Sequence, residues 1–148
     1  MTETAAICAY LADAFPEAGL APATSDRADY YRWMFFAAGP VEAAFSNKAA
    51  GWEPAPEREK MFGYGNFDRA VDALASAVEG RKFVAGDRFS AADVYVGSMI
   101  DFLLRFGQMA PRAAFDDYLN PLRERPAYRR AAKIDDDLVA EMTAANPG

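Results

Sequence analysis

The segment Phe89-Ser90-Ala91-Ala92-Asp93-Val94 constrains the fold of this chain more than any other. Ser90 followed three residues later by Asp93 is a capping box. The hydroxyl can accept the Asp93 N–H, while the carboxylate reaches back to the Ser90 N–H. Phe89 just outside and Val94 just inside the helix start form a hydrophobic staple. Val94, Tyr95, Val96, Met99, Ile100, Phe102, Leu103, Leu104 and Phe106 then cover most of a helical circumference. A helix that is apolar nearly all round belongs at the centre of a domain. Its polar exception is the line Asp93, Gly97, Asp101, Arg105, spaced by four. Asp93 reads as structural. Asp101 is either half of an i, i+4 pair with Arg105 or a group facing a site.

The remaining chain supplies helices to surround that centre. Thr2 to Ala14 carries Ile7, Tyr10, Leu11 and Ala14 at helical spacing, and Phe15-Pro16 and Gly19 to Pro22 break it. Thr24 or Ser25 can cap a long second helix reaching about Asn47. Pro40 cannot donate to the Phe36 carbonyl, which predicts a kink there. Tyr30, Tyr31, Trp33, Met34, Phe35 and Phe36 exceed what one core stripe needs. One face is therefore expected in the core and another in an interface.

A third helix is expected from about Glu57 to Glu79, with Gly80 at C′. Pro111 to Leu122 forms a fifth, and Pro126 near N1 starts a sixth. Asp135-Asp136-Asp137 reads as a solvated face, and Ala144 to Gly148 is expected to fray. No strand alternation is present. The fold class is all-α, a bundle of about six helices.

Composition excludes several functions. The 148 residues are enough for one substantial core. A net charge of −6 without a basic, aromatic-interleaved stripe argues against nucleic-acid binding. No apolar run is long enough for a membrane span. The single cysteine, Cys8, rules out an internal disulfide and fits a reducing, cytoplasmic compartment. With no histidine on its neighbours, Cys8 reads as a buried spectator. Having no histidine at all, the chain lacks Ser-His-Asp and Cys-His chemistry and a plausible metal set.

Three blocks in order resemble the glutathione S-transferase superfamily. Thr2 to Leu11 resembles the turn and helix that end its thioredoxin-like domain. Phe83 to Val94 resembles the loop and capping-box helix of its helical domain. Arg125-Pro126-Ala127-Tyr128 resembles the start of its last helices, and Tyr31 to Pro40 is similar to a bacterial subgroup. The resemblance divides the chain into 1–20, the end of a thioredoxin-like domain with its linker, and 21–148, the C-terminal helical domain.

That resemblance implies an intact protein that ionises the thiol of glutathione and adds the thiolate to hydrophobic electrophiles. It implies that the thiol-activating residue lies upstream of Met1, so this chain is expected to be inactive alone, with no catalytic residue of its own. A downstream start site would produce such a chain. Glu3-Thr4 matches the family's acidic-hydroxyl pair for the γ-glutamyl end of glutathione; otherwise it is a helix cap and a first-turn acid. Binding by the chain alone is expected to be weak or absent. Tyr30, Trp33 and Met34 match a wall for the hydrophobic substrate, or else are core or dimer contact. Ser90 and Asp93 stay structural. A homodimer is expected through the aromatic second helix. A non-catalytic binding or assembly module is the alternative, and transferase is not separated from disulfide-reductase activity.

Overall fold

The computed structural model describes residues 1–145. Among these residues there are seven α-helices and no strand. They are α1 (Thr4–Ala14), α2 (Ala28–Phe36), α3 (Glu42–Ala49), α4 (Phe67–Val78), α5 (Ala91–Arg105), α6 (Ala113–Arg123) and α7 (Pro126–Ala145). The central position belongs to α5. It packs on α1, α2 and α6, and Ala92, Val96 and Ile100 are wholly buried. Helix α4 closes the other side against α3 and α6. Helix α7 leans on α6 and buries none of its residues. Its end at Ala145 carries the start of the expected fraying segment; the rest of that segment lies outside the described residues.

The capping box forms as the sequence predicts. The Ser90 N–H donates to the Asp93 carboxylate at 2.9 Å, and the Ser90 hydroxyl donates to it at 3.1 Å. The same carboxylate accepts the Val84 N–H at 2.7 Å and the Tyr118 hydroxyl at 2.9 Å. One aspartate thus ties the preceding loop, the α5 start and α6 together. Burial pushes its pKa up, and these hydrogen bonds oppose that rise. The staple is looser: Val94 stays 38% exposed. Phe89 is held instead by the Phe83 ring at 6.0 Å and the Arg125 guanidinium at 3.3 Å.

Several sequence expectations need correction. The second helix does not start at Thr24 or Ser25. Thr24–Asp26 is a 3-10 turn, and Arg27 stands before α2 without a side-chain cap. Arg27 is occupied elsewhere, donating to the Pro22 carbonyl at 2.9 Å and pairing with Asp13 at 2.8 Å. At Pro40 the helix passes through one π turn, Ala37–Val41, between α2 and α3. A π turn shifts the hydrogen-bond register around the missing proline N–H. That turn divides the long helix and makes the count seven.

The third expected helix is also shorter. Pro56–Met61 is a 3-10 turn, and α4 starts only after Asn66. Gly65 adopts φ +71°, and the Asn66 side chain caps the Arg69 N–H at 2.9 Å. Gly80, at φ +66°, terminates α4 as expected. Finally, α5 is not enclosed all round. Phe102 and Phe106 are 50% and 58% exposed.

Candidate functional site

The N-terminus of α1 presents the first candidate. Glu3 stands at its cap with φ 67° and ψ 106°, and makes no side-chain cap hydrogen bond. It is the sole non-glycine residue with positive φ among the described residues. Such a conformation costs about 1–3 kcal/mol and recurs where backbone groups are poised for a ligand. The first intrahelical bond there runs from the Ile7 N–H to the Glu3 carbonyl at 2.9 Å. The N–H groups of Thr4, Ala5 and Ala6 precede it and have no intrahelical acceptor. With the exposed Thr4 hydroxyl they form a donor set suited to a carboxylate, and the exposed Glu3 carboxylate suits an ammonium. Helix α1 packs on α5, where burial, then the charges of Glu42, Cys8 and Glu3, push the Tyr95 phenol up.

Tyr30, Trp33 and Met34 lie in the core, 1%, 6% and 2% exposed. Helical spacing turns all three inward on α2. The Tyr30 hydroxyl and Trp33 Nε1 are buried without a hydrogen-bond partner. Burial pushes the Tyr30 phenol up to about 12. Tyr31 and Phe35 face outward on the same helix, 40% and 68% exposed. Helix α2 therefore has the two aromatic faces that its composition predicts. Cys8 is half-buried against the core, and burial pushes its thiol up. A thiol kept protonated is a poor nucleophile.

Asp101 does not pair with Arg105. Its carboxylate takes the Arg123 guanidinium, with Nε at 3.1 Å, and the Tyr128 hydroxyl at 2.7 Å. Burial raises its pKa, but the hydrogen bonds from Arg123 and Tyr128 and the charges of Arg123 and Arg105 outweigh that and hold it low. This clasp joins α5, α6 and α7. It borders a cleft of about 480 Å³ that also reaches Phe102, Arg125 and Asp135. Tyr30, Trp33 and Met34 do not line that cleft. Sequence spacing alone pointed Asp101 at its own helix; both actual partners are more than twenty residues away.

Among the described residues, no helix is long and apolar enough to cross a membrane. No three His, Cys, Asp or Glu side chains among them converge on a point that could hold a metal ion.

Comparison with known proteins adds to this geometry. Residues 38–122 match the family model for the glutathione S-transferase C-terminal domain, which is more than half of the chain. No curated protein sequence matches. The chain is similar to the structure of a sphingomonad glutathione S-transferase complexed with glutathione. The two share 30% identity at a TM-score of 0.71, over 92% of this chain and 68% of that one. The fold is also shared with BphK, a bacterial transferase of this kind solved as a ternary complex. There the identity is 22% and the TM-score 0.70, over the same shares of each chain. With its seven helices, the Ser90–Asp93 box at their centre and a match over its middle, the chain belongs to the glutathione S-transferase superfamily through the C-terminal helical domain.

Proposed function

We propose that this chain serves glutathione conjugation as the helical part of a glutathione S-transferase. In the intact enzyme the thiol of glutathione is ionised by a residue outside this sequence, and the thiolate attacks a hydrophobic electrophile. Glu3 and Thr4 hold the γ-glutamyl end: the α1 N-terminus takes its carboxylate and Glu3 its ammonium. The carrying observation is the free donor set at α1, in a chain similar to a transferase solved with glutathione. Tyr30, Trp33 and Met34 shape the wall behind the second substrate from the core side. Two copies associate through the outward face of α2, where Tyr31 and Phe35 stand exposed.

The magnitudes set what the chain does alone. A charge at a helix terminus is worth about 0.3–1 kcal/mol, and a hydrogen bond to a charged group about 1.5–3 kcal/mol. Their sum corresponds to a Kd of roughly 1 mM or weaker. Incubating the chain with glutathione and 1-chloro-2,4-dinitrobenzene should give no rate above the uncatalysed one. An accelerated rate would show that a thiol-activating group is present within these residues.

A second reading, a non-catalytic binding or assembly module, draws support from one feature. Tyr10, Leu11 and Phe15 expose 56%, 47% and 53% of their surface on or just after α1. Such a patch suits a protein partner. Under that reading glutathione leaves the α1 terminus unperturbed.

A further inference from the structure

A second pocket, of about 360 Å³, lies between the linker after α1 and the loop before α5. Its size is at the low end of small-molecule sites. Both walls are anchored. On the linker, the Leu20 carbonyl accepts the Ala91 N–H at 2.8 Å and the Pro22 carbonyl accepts Arg27 Nε at 2.9 Å. On the loop, the buried Asp93 carboxylate takes the Val84 and Ser90 N–H groups at 2.7 and 2.9 Å. Walls held in this way need little reorganisation to receive a ligand, which lowers the cost of binding.

Arg88 reaches across from the loop. A Cβ on Gly19, at φ +64°, would meet Arg88 Nη2 at 3.4 Å, so the guanidinium lies against the linker backbone. Asp26 on the linker and Asp87 on the loop line the same pocket. Among the described residues, none of these three side chains makes an ion pair. One cation and two anions therefore border one void without pairing with each other. Alanine and glycine make up most of the remaining wall, so charge dominates what the pocket can recognise.

We propose that this pocket binds a small zwitterion of dipeptide size. Its carboxylate meets the Arg88 guanidinium, whose planar fork matches two carboxylate oxygens. Its ammonium lies between Asp26 and Asp87. A simple anion gains Arg88 but meets two carboxylates, and a simple cation gains the carboxylates but meets Arg88. A ligand carrying both charges satisfies all three groups. A dipeptide has the reach, since its two Cα atoms stand about 3.8 Å apart and its charged ends lie beyond them. The assignment is independent of the glutathione reading, because it uses neither Glu3 nor Thr4.

Glycylglycine, N-acetylglycylglycine and glycylglycine amide test this in an amide-resolved NMR titration of the full chain. The titration runs to roughly 50 mM, because exposed charge pairs bind weakly. Glycylglycine should shift the amides of Gly19, Gly86 and Arg88. It should bind at least threefold more tightly than the acetylated peptide, which lacks the ammonium, and than the amide, which lacks the carboxylate. Arg88→Gln should weaken glycylglycine at least threefold and should not weaken the amide. Asp26→Asn should weaken glycylglycine and should not weaken the acetylated peptide. Both positions are exposed, so both variants should fold. Equal affinity for the three probes, shifts centred on Thr4 to Ala6, no shift at that concentration, or no effect of Arg88→Gln would overturn the proposal.

Discussion

The Tyr118 hydroxyl on α6 donates to the Asp93 carboxylate on α5 at 2.9 Å, across 25 residues of chain. Both side chains are about 1% exposed. A local capping residue is thereby also a fully buried polar tie between two core helices. Tyr118→Phe should cost about 1.5–3 kcal/mol, the value of a hydrogen bond to a charged group. Asp93→Ala should cost more, because it also strands the buried Val84 and Ser90 N–H groups. Urea unfolding of the two variants measures this. A smaller loss for Asp93→Ala than for Tyr118→Phe would contradict the tie.

Gly97 and Gly39 should respond oppositely to alanine. A Cβ on Gly97 would meet Leu122 Cδ1 at 3.0 Å, in the α5–α6 contact. Overpacking there costs about 1–3 kcal/mol and outweighs the roughly 0.5–1 kcal/mol that alanine returns to a helix. Gly39 has no neighbour within 4 Å of such a Cβ, and its φ is not positive. Gly39→Ala should be neutral or stabilising by up to about 1 kcal/mol. Paired thermal melts decide it; a more stable Gly97→Ala would show that the Leu122 side chain gives way to the added methyl.

Acid should release α7 before the core unfolds. The Asp101 carboxyl is held below its ordinary value by Arg123 and Tyr128 once burial is overcome. A depressed carboxyl contributes stability that is present above its unfolded pKa, about 3.9, and lost as pH falls through its folded value. Asp93 works in the opposite sense. Its pKa is raised by burial, so its contribution declines as pH rises between its unfolded and folded values. The two are separable because only Asp101 touches α7. Amide exchange near Tyr128 should accelerate below about pH 4 in the native chain. In Asp101→Asn it should be fast at every pH. Exchange in α7 independent of both pH and this substitution would contradict the clasp.

The exposed face of α2 makes the oligomer testable. Phe35 is 68% exposed, so Phe35→Glu should leave the fold intact. If two copies meet there, light scattering should show the mass halved in the variant. An unchanged mass would place any association elsewhere.

Local chemistry was legible in the sequence and long-range chemistry was not. Ser90 and Asp93 meet as their spacing predicts because a capping box is closed within one turn. The family was legible for the same reason: its signatures are short blocks in order. Of the two readings open for Asp101, the pair with Arg105 fails, because helical spacing offers Arg105 whereas folding brings Arg123 and Tyr128 and sets the carboxylate at the cleft. The Asn66 cap is masked in the sequence by the apolar stripe through Tyr64 and Phe67 that runs across it, although asparagine is a favoured cap and Gly65 precedes it. The inward turn of Tyr30, Trp33 and Met34 against the outward turn of Tyr31 and Phe35 depended on which side α5 approaches. Composition predicts two faces but does not say which residue takes which.

The most direct measurement is an amide-resolved titration of the chain with glutathione, read at the start of α1. The shifts should centre on Thr4, Ala5 and Ala6, with a Kd of roughly 1 mM or weaker. They should disappear in a Glu3→Gln, Thr4→Val double variant, and cysteinylglycine, which lacks the γ-glutamyl group, should produce none. An unperturbed α1 terminus at roughly 20 mM glutathione, or equal shifts with cysteinylglycine, would contradict the assignment of Glu3 and Thr4 to the γ-glutamyl end.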